Sequence, residues 1–151
     1  MKVFRIAHSQ YIDDLQGTGA RLYGGRWNRP GIPMLYTSQN LSLCILELLV
    51  HFNSKLAFNA SYSYLELDIP DKHIHSVVDK INITTYHKIN NKALWEFTEA
   101  EFEKTNAMAI IVPSFVLKQE ANVIINPLHP HMKNVKIISK SPIQLDDRLA
   151  I

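Results

Sequence analysis

The chain has 151 residues, 46% of them hydrophobic and 20% charged, with a formal net charge of +2. That is enough to bury a real core in one domain, and the balance excludes a disordered chain. A single cysteine, Cys44, excludes an internal disulfide and a cysteine-based zinc site. No apolar run approaches the roughly 20 residues of a membrane span, and the first residues lack a signal-peptide core, so the cytoplasm is the expected location. The mildly basic balance admits an anionic ligand without demanding nucleic acid.

Residues 3–6 read as a first strand, with Phe4 and Ile6 on one face and Val3 and Arg5 on the other. Arg5 is either an edge residue pointing to water or an inward anion contact. Residues 8–15 are polar, a loop or short helix. Gly17, Gly19, Gly24 and Gly25 then cluster, and the run Gly24-Gly25-Arg26-Trp27-Asn28 closes them. Glycine admits positive φ and close approach of another group, and arginine offers a planar fork for phosphate oxygens. For the glycine pair alone a plain turn is the better reading, and the added Arg26-Trp27-Asn28 shifts the balance toward a site. No Gly-Lys-Ser/Thr follows, so this is not a P-loop.

Residues 33–37 read as a second short strand. Ser38 can cap the helix that follows over 41–52. That helix is apolar nearly all round, which predicts burial, and it carries one acid, Glu47. A buried Glu47 has to be paired, protonated or open to a cavity. An ion pair with Arg5 or Arg26 is the structural alternative to a functional role, and His51 lies one turn on, at i+4. Cys44 reads as a small core residue.

Residues 62–69 alternate as a half-exposed strand. Glu66 and Asp68 share its outer face, where a solvated surface is the simpler reading than a carboxylate pair. His73 and His75 lack a third ligand nearby, so no metal site is expected. Residues 74–78 read as a strand and 84–91 as a polar loop. Residues 93–105 read as an amphipathic helix with Leu94, Phe97 and Phe102 inward, several acids outward and Trp95 closing one side. Residues 107–112 form a buried-type strand ending at Pro113-Ser114. The Gly-x-Ser-x-Gly frame of a nucleophile elbow is absent. A strand over 121–125 is bracketed by Asn122 and Asn126, a stiff loop covers 127–131, and closing strands cover 134–139 and 143–145. Strands and helices do not alternate in βαβ order, so an α+β fold is preferred.

Taken in order, these pieces resemble the RES-domain proteins, toxins of Xre–RES type II toxin–antitoxin modules. The family is named for an arginine, a glutamate and a serine. Here these would be Arg26 in Gly24-Gly25-Arg26-Trp27-Asn28, Glu47 in Leu46-Glu47-Leu48-Leu49-Val50-His51, and Ser114 in Val112-Pro113-Ser114. Phe4-Arg5-Ile6, Leu35-Tyr36-Thr37-Ser38, Asn122, Asn126-Pro127-Leu128-His129-Pro130 and Asp147-Arg148-Leu149 complete the set. No single piece is specific; the ordered set is.

The resemblance implies one α+β domain over 1–151, with an ADP-ribosyltransferase-like arrangement of mixed β-sheets and flanking helices around an NAD cleft. It implies cleavage of the nicotinamide–ribose bond of NAD, with water or phosphate as acceptor. Some members instead transfer ADP-ribose to a protein. NAD would be the substrate and no metal is expected. The partner would be an Xre-type helix-turn-helix antitoxin that blocks the cleft, with a homodimer allowed inside the toxin–antitoxin complex.

The candidate residues fit that chemistry. Loss of nicotinamide leaves positive charge on the ribose, which a fixed carboxylate stabilises. Glu47 takes that role. Arg26, with Arg5, would bind the pyrophosphate. Tyr36 would stack on nicotinamide or ribose, and Ser114 would orient substrate by hydrogen bond. Asn122, Asn126 and His129 are assigned to supporting or loop-fixing positions around the ligand. Ile45 stands where arginine-directed ADP-ribosyltransferases carry a second acid or glutamine, which favours a small acceptor. A non-catalytic nucleotide- or RNA-binding module is the alternative from another class, though no basic stripe with interleaved aromatics supports RNA.

Overall fold

The computed structural model describes residues 1–51, 62–84 and 92–146. In chain order these form β1 (Lys2–His8), α1 (Thr18–Tyr23), β2 (Leu35–Ser38), α2 (Leu41–Leu49), β3 (Tyr62–Asp68), β4 (Ile74–Ser76), α3 (Lys92–Thr105), β5 (Ala109–Pro113), β6 (Ala121–Ile125) and β7 (Lys136–Pro142). The strands make one mixed sheet in the order β4-β5-β6-β2-β1-β3-β7. Only β4 and β5 run parallel; the other pairs are antiparallel. The α+β class is as expected. Phe52, most of the loop expected over 84–91, and Asp147-Arg148-Leu149 lie outside the described residues.

Alternation along the strands sorts the core onto two faces. Val3, Leu35, Leu65, Leu67, Val123 and Ile125 share one cluster. Ile12 and Leu15 join it from the segment over 9–16, which folds across that face. The intervening positions, Tyr36, Ile110, Val112 and Ile124, meet Trp27, Met34 and Leu94 in a second cluster on the other face. Both faces of β5 and β6 are therefore covered, which explains their near-continuous apolar sequence.

Several local expectations change. Residues 18–23 are helical despite two nearby glycines. Gly17 takes the N-cap position at φ 66 with no side-chain cap. Asp14, four residues before Thr18, accepts from the backbone N–H of Gln16 and from that of Thr18, the first donor that the helix leaves open. Helix α2 is shorter than expected, and Asn40 takes its N-cap position with no side-chain cap, because Ser38 is the last residue of β2 and spends its hydroxyl across the sheet. It is not buried all round: only Leu43 and Cys44 are, and Leu46 and Val50 are 40% and 59% exposed. The strand expected over 74–78 ends at Ser76 and passes into a 3₁₀ turn, Val78–Lys80. Of the two closing strands one forms, β7, along β3, and residues 143–145 follow it without strand structure. On α3, Glu101 is buried and bridged by Lys80 at 2.8 Å.

Glu66 and Asp68 do not form a carboxylate pair. Glu66 binds Lys2 at 2.7 Å and accepts from Ser139, while Asp68 meets the N-terminal ammonium at 3.4 Å. His73 stacks on His131 with ring centroids 4.6 Å apart and lies 5.4 Å from His129. Its backbone is left-handed, φ 70. Burial lowers the proton affinity of His73, followed by the charges of His131, Lys72 and His129.

That shift has a defined sign. Above the ordinary value of 6.5 His73 is neutral in both states and costs nothing. As pH falls through that value the unfolded chain takes the proton first, so stability drops until the folded group also titrates. Thermal melts should therefore fall between pH 7.5 and about 5.5. The substitution His73→Asn, which tolerates the left-handed backbone, should flatten that fall. An unchanged pH slope in the variant would remove the histidine cluster as its cause.

Candidate functional site

The glycine turn is built around a tyrosine. Tyr36, on β2, donates its hydroxyl proton to Asn28 Oδ1 at 2.7 Å and accepts from the Trp27 N–H at 3.0 Å. Burial holds that phenol well above the ordinary tyrosine range. Asn28 is fully buried, and its amide donates to the carbonyls of Ala20 and Ile32. A side chain on Gly25 would collide with the Tyr36 hydroxyl, so glycine is required there. Trp95 on α3 pins the same residue, donating from Nε1 to the Gly25 carbonyl at 2.8 Å.

The backbone N–H groups of Gly24, Gly25 and Trp27 are all spent inside the protein, on Ala20, Asn28 and Tyr36. These three cannot cradle a phosphate. What the turn presents is Arg26. Its guanidinium carbon lies 4.1 Å from the centre of the Phe115 ring, a cation–π contact. Burial lowers the proton affinity of Arg26, and the negative charge of Glu47 pulls the other way.

Glu47 enters from α2, which packs on the sheet face that carries Phe4 and Tyr36. The thiol of Cys44 donates to the Phe4 carbonyl at 3.4 Å. One oxygen of Glu47, Oε1, accepts two hydrogen bonds, both 2.6 Å long: from the Ser114 hydroxyl and from the Asn122 amide. Ser114 follows the end of β5, and Asn122 lies near the start of β6. The Ser114 oxygen also accepts from the N–H groups of Val116 and Leu117. Its one donor and two acceptor sites are thus all used. Ser114 therefore fixes Glu47 and has no hydrogen bond left for a substrate, which corrects the expected role. Oε2 of Glu47 has no hydrogen-bond partner among the described residues.

These groups surround a cavity of about 890 Å³, at the upper end of the range for small-molecule sites. Arg26, Tyr36, Glu47 and Asn122 line it, with Trp27 and Phe115 as aromatic walls. His51 also lines it, one turn beyond Glu47. Burial pushes the Cys44 thiol to about 11, so it is no nucleophile near neutrality.

Three expected residues are not brought here. Arg5 alternates with the cavity-lining Ile6 and lies on the opposite sheet face, reaching the Tyr11 carbonyl at 3.5 Å. Asn126 is absorbed in a turn, accepting from the Leu128 N–H. His129 is buried, packs its ring near those of His73 and His131, and caps a 3₁₀ turn by accepting from the His131 N–H. Among the described residues no group of His, Cys, Asp or Glu is arranged to hold a metal ion, and no helix is long and apolar enough to cross a membrane. Phe115 was not singled out from sequence, and Asn28 and Ser38 were read only as motif members or, for Ser38, as a helix cap. Phe115 directly follows Ser114, which is the available signal.

Fold and site together define an α+β protein with an arginine and a braced carboxylate in one small-molecule cavity. The chain belongs to the RES domain family, whose model matches residues 2–146. It is 30% identical to Toxin Res of Photorhabdus laumondii subsp. laumondii, over 99% of this chain and 97% of that protein. It is also 30% identical to the Prs ADP-ribosylating toxin of Sphingobium sp. (strain YBL2), over 86% of this chain and 83% of that one. A chain in the crystal structure of the M. tuberculosis MbcT–MbcA toxin–antitoxin complex shares the fold, with a TM-score of 0.75 over 94% of this chain and 83% of that chain at 15% identity.

The turn makes its own prediction. Tyr36→Phe leaves the Trp27 N–H and Asn28 Oδ1 without partners and should cost about 1–3 kcal/mol in urea unfolding. Tyr23→Phe, at an 82% exposed position, should cost almost nothing. Equal effects would show that the buried hydroxyl does not hold the turn.

Proposed function

We propose that this chain is the toxin of a toxin–antitoxin pair and consumes NAD by breaking its nicotinamide–ribose bond, with water or phosphate as acceptor. The observation that carries the reading is Glu47, held through one oxygen by Ser114 and Asn122, with Arg26 in the same cavity. The toxin names of the relatives agree with it.

In this reading Oε2 of Glu47 accepts from a ribose hydroxyl and faces the carbon that loses nicotinamide. The C–N bond breaks with its electron pair leaving on neutral nicotinamide. Positive charge spreads over the ribose carbon and ring oxygen, and the carboxylate stabilises it more than it stabilises bound NAD. The acceptor oxygen then bonds to that carbon and gives its proton to solvent. Arg26 neutralises the pyrophosphate through its fork. The Tyr36 ring forms part of the wall against nicotinamide or ribose, while its hydroxyl stays committed to the turn. The NAD pool it would drain is cytoplasmic.

The second reading, transfer of ADP-ribose to a protein, draws on the relative named an ADP-ribosylating toxin. Ile45, two residues before Glu47, offers no polar group to activate a protein acceptor, so small acceptors are preferred. The partner is an Xre-type helix-turn-helix antitoxin over the cavity mouth, where Tyr23 and Val50 are 82% and 59% exposed. A toxin homodimer is compatible with that assembly.

Purified protein incubated with NAD, with and without phosphate, should release nicotinamide. Glu47→Gln should lower kcat by about 100-fold or more, and Arg26→Ala should raise KM by about 10-fold with a smaller change in kcat. No release by folded wild-type protein would refute the proposal. Release with ADP-ribose attached to a protein would establish the second reading.

A further inference from the structure

Ser38 and Asn122 stand directly opposite each other in the β2–β6 register. Ser38 is buried, and its hydroxyl lies 2.6 Å from Asn122 Oδ1. The other end of the same amide, Nδ2, lies 2.6 Å from Glu47 Oε1. An amide and a hydroxyl can each be turned either way. Here the carboxylate removes that freedom. It only accepts, so Asn122 must turn its NH₂ toward Glu47 and its oxygen toward Ser38. Ser38 must then donate. On the other side, the Val116 and Leu117 N–H groups occupy both acceptor sites of Ser114, so its single proton goes to the same Oε1. Both donors to Glu47 therefore converge on one oxygen.

We propose that Ser38 and Asn122 are positioning residues for the reaction, a polar relay that sets the orientation of the Glu47 carboxylate and reserves Oε2 for the substrate. This rests on the reading of the cavity as an NAD site. Ser38 belongs to the cavity lining but makes no hydrogen bond to Glu47; it acts by holding the amide of Asn122 in one orientation. The relay explains why a serine ends a strand whose other inward position is the bulky Tyr36. It also explains why the first polar residue of β6 is an amide and not an acid.

The test is kinetic, with variants of nearly equal size. Asn122→Asp keeps the shape but faces Glu47 with an acceptor, so kcat should fall by about 100-fold while KM for NAD stays within about threefold. Ser38→Ala should lower kcat by about 10-fold, and Ser38→Thr, which restores a hydroxyl, should recover most of that loss. A near-normal kcat in Asn122→Asp, or equal losses in Ser38→Ala and Ser38→Thr, would overturn the relay. If wild-type protein releases no nicotinamide, the NAD reading falls by itself. The relay is then decided by thermal melts of Glu47→Ala, Asn122→Ala and the double variant: non-additive shifts support it, and additive shifts overturn it.

Discussion

The site depends on one carboxylate oxygen. Glu47 Oε1 takes two 2.6 Å hydrogen bonds from groups on neighbouring strands, Ser114 after β5 and Asn122 on β6. Hydrogen bonds to a charged acceptor are about twice as strong as neutral ones, and they cost the protein its freedom to move any of the three residues alone. The helix α2, the β5–β6 pair and the turn after β5 are thereby tied together at the cavity floor. A single brace would leave the carboxylate free to rotate. Two donors on one oxygen leave the second oxygen as the reactive face.

The opposite wall is built by different means. Arg26 projects from a turn whose own N–H groups are consumed internally, by Ala20, Asn28 and the Tyr36 hydroxyl. Positive charge thus comes from a side chain stacked on Phe115. Phe115 is the neighbour of Ser114, so the loop after β5 serves both walls: its serine braces the acid and its phenylalanine supports the arginine. The apolar cluster under this face, with Trp27, Leu94 and Ile124, keeps the turn and α3 in register through the Trp95–Gly25 hydrogen bond.

Much of this was legible before the fold was known, for identifiable reasons. The period-2 pattern of β3 and the apolar runs of β5 and β6 are direct consequences of one-sided and two-sided burial. Arg26, Glu47 and Ser114 were legible through motif resemblance. What was lost depends on relations that a linear pattern does not carry. Helix α1 escaped because two glycines mask it and its first donor is satisfied from Asp14, upstream of the usual cap position. Ser38 was read as a helix cap because its true partner, Asn122, is 84 residues away and becomes adjacent only through strand register. Arg5 was correctly set on the face opposite Ile6, but which face holds the cavity is decided by where residues 9–16 and α2 pack. His129 had the chemistry of a site residue and was drawn instead into a cluster with His73 and His131.

The central claim is that Glu47 offers its unbraced oxygen to a ribose while Arg26 holds the phosphates. A crystal structure of Glu47→Gln grown with NAD tests it most directly. The account predicts the nicotinamide riboside beside residue 47 and the pyrophosphate within hydrogen-bonding distance of Arg26. NAD bound elsewhere, or seated in this cavity with its phosphates away from Arg26, would contradict it.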